Sequence, residues 1–253
     1  MRFIINIFYF FEWFFSILQG KGFAGFSCSL KFEVKYISKF FKNNDKLVVI
    51  DVGGNKGNFS NIVARSLKNA EIYIIEPSLL NFKFLKKRFI NNENIFIKNI
   101  AISNKNKNLK LFYDFKGSPL ASLSKRLFIG SNRKMIGYEI VKSMTLYKYI
   151  NENIKKKTID IIKLDTEGNE LNCLLGLFKK IKNVKLIQFE FGGCNIDSRV
   201  FFKDFWIFFK KKNFSIYRIG PFGLTKLVNY SESDENFLTT NYIAKNNKFF
   251  KLK

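Results

Sequence analysis

The chain of 253 residues contains no histidine, and that absence removes a large share of enzyme chemistry. Imidazole general bases, histidine-based triads and the usual zinc sites are excluded together, because three cysteines cannot complete a typical tetrahedral shell. Those cysteines, Cys28, Cys173 and Cys194, have neither metal-ligand spacing nor the pairing of a disulfide framework, which suits a reducing cytoplasm. Acidic residues are scarce too, 20 against 44 Lys and Arg. Proton transfer must therefore fall to a carboxylate, lysine, tyrosine or metal-bound water, and the few carboxylates at strand ends are the ones to examine. A long hydrophobic run is also missing. The apolar segment 3–18 opens on Phe3, closes on Leu18 and is interrupted by Asn6, Glu12 and Ser16. As a helix rising ~1.5 Å per residue it reaches ~24 Å, short of a ~30 Å hydrocarbon core.

What the chain has in excess is positive charge and phenylalanine. The formal net charge of +24 favours anionic neighbours, whether nucleic acid, acidic glycan or the inner leaflet of a membrane. The basic residues fall in dispersed clusters, such as 83–88, 155–157 and 210–212, and form no nucleic-acid motif of recognised type. Phenylalanine occurs 32 times, which with abundant Ile, Lys and Asn reflects a biased composition as much as a special core. Residues 3–18 read either as a helix packed on protein or as a peripheral membrane contact, where aromatic burial and positive charge act as two membrane signals.

The most informative segment is Leu47-Val48-Val49-Ile50-Asp51-Val52-Gly53-Gly54-Asn55-Lys56-Gly57-Asn58. Its apolar run reads as a parallel strand covered on both faces, followed by a glycine turn and a helix. Open α/β sheets bind ligands outside the carboxyl ends of such strands, at a topological switch point. A second apolar strand ends in Glu76, 25 positions after Asp51, where an acid that binds a ribose diol belongs. The turn lacks G-x-G-x-x-G spacing, and Asp51 precedes the glycines, so a pyrophosphate is disfavoured. A cationic cofactor without phosphate is favoured instead.

Along the chain, residues 1–44 read as an aromatic helical extension and 45–253 as one α/β domain. A helix at 32–41 is followed by a break at Asn43-Asn44-Asp45. Strands at 47–52, 71–76 and 95–98 then alternate with helices at 58–68 and 78–90. Residues 109–113 form an added hairpin, and 117–138 is a loop region able to cover the site. Strands at 159–164, 184–190, 214–218 and 241–245 alternate with helices at 168–180 and 200–212. This alternation predicts a doubly wound, mainly parallel sheet with helices on both faces. Asp165 and Glu167 follow one buried strand and Glu190 ends its neighbour, so the three can converge at the same sheet edge as Asp51 and Glu76. Capping is the structural alternative: Thr166 as helix cap, with Glu167 and Glu170 favouring the positive helix start. Lys163 reads as a packing or ion-pair lysine, and Cys173 as buried filler.

Over residues 47–190 the sequence resembles the FkbM-type S-adenosylmethionine-dependent methyltransferases. Asp51-Val52-Gly53-Gly54-Asn55-Lys56-Gly57 is similar to the family's D-V-G-A-N-x-G, and Ile75-Glu76-Pro77-Ser78 to its E-P segment. Asn99-Ile100-Ala101-Ile102-Ser103 resembles the piece near the adenine. Thr145-Leu146, followed by Ile159-Asp160-Ile161-Ile162-Lys163-Leu164-Asp165-Thr166-Glu167-Gly168-Asn169-Glu170, is similar to its T-L-D and I-D-x-x-K-x-D-x-E-G-x-E, and Gly176 and Phe189-Glu190 continue it. Ser118 and Ser122 resemble its small-residue loop. Two departures are Gly54 in place of the usual Ala, and Tyr147 where Asp commonly follows Thr-Leu.

The resemblance implies a seven-stranded Rossmann-like sheet with one reversed strand. It implies S-adenosyl-L-methionine held by Asp51, Gly53, Gly54, Asn55, Gly57, Glu76, Asn99 and Ala101. Asp165, Glu167 and Glu190 then fall on the acceptor side, with Asp165 and Glu190 available to a divalent metal such as Mg²⁺ if one is used. The expected reaction is O-methylation of a hydroxyl on a sugar of a bacterial surface polysaccharide or a related metabolite, in the cytoplasm or at the inner face of the membrane. Two other functions fit the chain: an RNA methyltransferase, motivated by charge, and a non-catalytic membrane-associated scaffold. Against the first, Asp165-Thr166-Glu167-Gly168 stands where amine-directed nucleic-acid methylases carry N-P-P-Y.

Overall fold

The computed structural model describes residues 2–42 and 45–250. Asn43 and Asn44, at the expected break, lie outside them. Two helices come first, α1 (Arg2–Leu18) and α2 (Ser29–Ser38). Then follow β1 (Val48–Val52), α3 (Asn58–Ser66), β2 (Glu71–Ile75), α4 (Leu79–Arg88), β3 (Ile95–Lys98) and β4 (Ala101–Ile102). The middle of the chain forms β5 (Asn108–Tyr113), β6 (Gly137–Met144), α5 (Leu146–Asn153), β7 (Ile159–Leu164) and α6 (Glu170–Leu175). The last third adds β8 (Val184–Phe191), α7 (Cys194–Ser198), α8 (Phe202–Lys211), β9 (Phe214–Gly220), β10 (Gly223–Leu227) and β11 (Thr240–Asn246).

The main sheet has the order β10-β9-β11-β8-β7-β1-β2-β3. Strands β3, β2, β1, β7 and β8 pair in parallel, and β11 runs antiparallel to both β8 and β9. This is the expected seven-stranded arrangement with one reversed strand, extended by β10, an eighth, which folds back on β9 as an edge hairpin. The chain leaves β1 toward β2 and β3 on one side and returns to β7 and β8 on the other. The switch point therefore lies between β1 and β7, at the ends that carry Gly53 and Asp165.

Every residue of β1 and β7 is buried, as the unbroken apolar runs require of strands covered on both faces. One face packs Phe189, Phe205, Phe209 and Tyr242 with α5 and α8; the other packs Val49, Ile161 and Ile243 against α2, α3 and α4. Helix α2 is part of this second core, through Val34 and Ile37.

Two local features differ from the sequence reading, and the motif Thr145-Leu146 receives a structural role. The hairpin strand β5 pairs with β6, and with β4 these make a separate three-stranded sheet, so the loop ends at residue 136. The helix expected over 168–180 is short: α6 stops at Leu175, and a 3-10 segment follows at Phe178–Asn183. The Gly176 carbonyl is taken by Tyr147 N–H, and Phe178 adopts a left-handed φ of 47°, which ends the α-helix. Gly176 itself allows close packing, since a Cβ there would lie 2.5 Å from the Ser103 carbonyl oxygen. Thr145-Leu146 is a helix start, with Thr145 Oγ1 accepting from Lys148 N–H at 3.3 Å and Leu146 fully buried. Tyr147 is 42% exposed and packs edge-on against Phe178.

Candidate active site

The glycine turn after β1 is tied to the end of β2. Gly53 and Gly54 N–H both donate to the Ile75 carbonyl, at 2.9 and 3.2 Å. Asn55 takes a left-handed φ of 47°, which directs its N–H to Glu76 Oε2 at 2.7 Å. Ser78 N–H donates to Glu76 Oε1 at 2.8 Å. Both carboxylate oxygens are thereby oriented, and each keeps a lone pair for a ribose hydroxyl. Burial pushes the Glu76 carboxyl up to about 7, although the two N–H groups oppose the shift. Asn99 holds this turn from outside the cleft lining, donating to the Glu76 and Pro77 carbonyls at 2.9 and 2.8 Å.

Gly53, Asn55, Glu76 and Ala101 line one cleft, together with Ile100, Leu111, Asp165 and Glu167. The cleft encloses ≈ 500 Å³ of non-protein space, counting its open mouth. Gly54 and Gly57 serve packing: a Cβ would lie 2.2 Å from Ile74 Cγ2 at the first and 2.6 Å from the Phe89 ring at the second. Asp51 is fully buried outside the cleft lining, with Oδ2 accepting from Ser60 Oγ at 2.7 Å. Burial raises its carboxyl above the usual carboxylate range. Its side chain is held beneath the turn, behind the surface of the cleft.

After β7 the backbone turns through two left-handed residues, Glu167 at φ 53° and Gly168 at φ 100°. The capping alternative runs the other way round: Glu170 is buried at the helix start and accepts from Thr166 N–H at 2.6 Å, Thr166 Oγ1 at 3.0 Å and Gly168 N–H at 3.0 Å. Thr166 is a donor here, and Asn169 occupies the N-cap. Lys163, 4% exposed, forms the ion pair expected of it, with Nζ 2.6 Å from Asp165 Oδ2. Burial alone would depress its ammonium, but Asp165, Asp51 and Glu33 hold it above the usual lysine value. Glu33, on α2, is buried and accepts from Gln188 and Asn241 at 2.6 and 2.8 Å. Cys173 is buried on α6, as expected.

Arg126 is the main residue that sequence reasoning missed. It pairs with Glu167 at 2.5 Å and lies 3.7 Å from Asp197. Ser122 Oγ donates to the Glu167 carbonyl at 2.7 Å, and Ser118, Pro119, Ala121 and Leu123 line the cleft, so the loop does cover the site. No periodicity marks a loop residue as a partner, and only the fold brings Arg126 across. Burial, with Asp165 nearby, lifts the Glu167 carboxyl to about 8 against the opposing pull of Arg126. Burial and the carboxylates of Asp165 and Glu167 raise Glu190 well above its ordinary value.

Of the two acids available to a divalent metal, Glu190 and not Asp165 belongs to the three-residue donor group that the fold brings together. Among the described residues, the donor atoms that converge within 4.8 Å belong to Glu167, Glu190 and Cys194. Burial pushes the Cys194 thiol up, Arg126 already neutralises Glu167, and Mg²⁺ demands oxygen ligands. This donor set does not fit Mg²⁺. The cleft does fit S-adenosylmethionine: Glu76 presents two oriented oxygens for a ribose, the glycine turn allows close backbone approach, and Ile100, Ala101 and Leu111 offer an apolar wall for a base.

A doubly wound sheet with a glycine turn after its first strand, a ribose-placed acid after its second and acids across the switch point defines an α/β enzyme of the nucleoside-cofactor class. Within that class, the chain belongs to the methyltransferase FkbM domain family, whose model matches residues 51–216. Solved structures of similar fold include a putative rRNA methylase from Clostridium thermocellum, 12% identical with a TM-score of 0.49, over 86% of this chain and 94% of that one. Precorrin-6y C5,15-methyltransferase from Geobacter metallireducens is 9% identical with a TM-score of 0.43, over 83% of this chain and 85% of that one. TrmK from M. capricolum, in complex with S-adenosyl-homocysteine, is 11% identical with a TM-score of 0.46, over 88% and 71%. No protein of curated function matches the sequence.

Proposed function

We propose that this methyltransferase transfers a methyl group from S-adenosylmethionine to a hydroxyl oxygen, on a sugar of a bacterial surface polysaccharide or a related metabolite. The observation that carries the reading is that Glu76 and Asp165 line one cleft, with Gly53 between them. When bound, the cofactor supplies a methyl group on a positively charged sulfur, open to in-line displacement. Glu76 accepts from the ribose hydroxyls, and the glycine turn lies against the rest of the cofactor. Asp165 has one oxygen held by Lys163 and a side chain 35% exposed, which leaves the other oxygen free to accept the hydrogen of the attacking hydroxyl. Glu167 and Arg126 orient the acceptor, so the residues act chiefly by alignment. Acids at this turn suit a hydroxyl better than a ring nitrogen.

The test is a turnover screen over glycan precursors and RNA, with two variants. Glu76→Ala should weaken cofactor binding by about 100-fold in calorimetry, as expected for losing two charge-assisted hydrogen bonds. Asp165→Asn should bind cofactor normally and lose turnover. Methylation of RNA and not of sugars would replace this reading with the nucleic-acid one, and a protein that binds no cofactor would leave the scaffold.

A further inference from the structure

Among the described residues, helix α1 carries the longest run of exposed apolar side chains. All residues from 4 to 15 are exposed, with Phe8 67% and Phe15 54% accessible. The rings of Phe10, Phe11, Phe14 and Phe15 contact one another along the helix, while Trp13 meets Phe26 at 6.4 Å. Over that stretch only Asn6 and Glu12 interrupt the apolar side chains. A helix that docks on protein along one stripe keeps a polar far face, whereas one apolar all round belongs in a protein core or in a membrane, and residues 4–15 have no core of this chain around them. Among the described residues no helix is long and apolar enough to cross a membrane. Burial from one side is what remains, and the net charge of +24 complements anionic lipid.

The position of α1 adds a direction. Just after it, Gly20 packs against the end of β9, where a Cβ would lie 2.7 Å from the Ile219 carbonyl oxygen. Gly22 N–H donates to Thr240 Oγ1 at 2.9 Å, and Ala24 N–H to the Thr239 carbonyl at 3.2 Å. Thr239 in turn abuts Gly192, two residues beyond Glu190. The carboxyl end of β9 and the start of β11 lie at the sheet edge that carries the cleft. Helix α1 is therefore rooted on the acceptor side of the catalytic edge.

We propose that α1 inserts into an anionic lipid bilayer and holds the catalytic edge against it, so that the acceptor hydroxyl is presented at the membrane surface on a lipid-linked saccharide. The acceptor clause rests on the function proposed above; the insertion does not, since vesicle binding needs no methyl transfer.

The experiment uses the full chain and vesicles of mixed phosphatidylglycerol and phosphatidylcholine. The protein should sediment with them, and the triple variant Phe8→Asn, Phe11→Asn, Phe15→Asn should lose about 10-fold or more of that binding while unfolding at the same temperature. For direction, exposed Ser233, whose carbonyl accepts from Lys21 Nζ just after α1, and exposed Lys68, between α3 and the start of β2, mark the catalytic and the opposite edge. Ser233→Cys and Lys68→Cys, each in a Cys28→Ser background, place a fluorescent donor there. Energy transfer to an acceptor dye in the bilayer should be stronger from position 233. Absence of sedimentation, or unchanged binding by the triple variant, overturns the insertion. A stable dimer in vesicle-free solution that the triple variant dissolves would make a second copy the occupant and overturn it as well. Equal or stronger transfer from position 68 overturns the orientation.

Discussion

Gly53 and Asp165 meet backbone to backbone at the switch point: a Cβ on Gly53 would stand 1.8 Å from the Asp165 carbonyl oxygen, and Gly53 already sits at φ +81°. The contact makes the cofactor turn and the acceptor acid one rigid piece. Gly53→Ala must force the two turns apart and strain the backbone, at a cost of about 3 kcal/mol or more. Thermal unfolding and calorimetry should show a less stable protein that no longer binds cofactor. Normal binding would show that the two turns can move independently.

Gly54 and Ile74 make a testable pair. Ile74 fills the space that an alanine methyl would need, with Cγ2 2.2 Å from the position of that Cβ. Gly54→Ala should destabilise the protein by about 1 to 3 kcal/mol, as overpacking of a filled core does. In an Ile74→Ala background the added cost should vanish, leaving a coupling of about 1 kcal/mol or more in a double-mutant cycle of unfolding free energies. Simple additivity would refute the clash.

Lys163 is the shared counter-charge of Asp165, Asp51 and Glu33. Lys163→Met keeps the volume and removes the charge, which leaves buried carboxylates uncompensated. The expected cost is about 3 kcal/mol, the range for breaking a buried ion pair from one side. Denaturant unfolding measures it, and a cost below about 1 kcal/mol would show that the carboxylates find other compensation.

Stability should fall as pH rises through neutrality. Glu76 titrates at about 7 and Glu167 at about 8 in the folded chain, both raised by burial. In the window between the usual carboxylate value and these, the folded protein holds protons that the unfolded chain has released, so stability declines with rising pH. Between pH ~5.5 and ~8 the decline should be on the order of 2 kcal/mol from Glu76 and about 3 kcal/mol from Glu167. Arg126→Gln removes a charge that favours ionised Glu167, so its carboxyl moves higher and the decline extends further into alkaline pH. A melting temperature that rises across this window would contradict the assignment.

The elements legible from sequence are those set by local chain physics. Unbroken apolar runs require strands buried on both faces, and β1 and β7 are such strands; glycines spaced after one of them require a turn, and Gly53 and Gly57 adopt left-handed φ there. The acids at the ends of β2 and β7 follow from strand direction alone. What each acid touches depends on residues distant in the chain. Asp51 and Glu76 look alike as acids near strand ends, yet one is sealed against Ser60 and the other lines the cleft, because Asp51 still lies within β1 under the cover of α3 whereas Glu76 follows the last residue of β2, beyond the sheet edge. Arg126 reaches Glu167 across 41 positions, and Glu33 reaches Asn241 across 208, through loop and helix packing that no periodicity encodes. The apolar character of α1 is plain in the sequence. That it is rooted beside the acceptor acids is decided by the pairing of β9 and β11, since only long-range strand register brings Gly20 and Thr239 to the same edge.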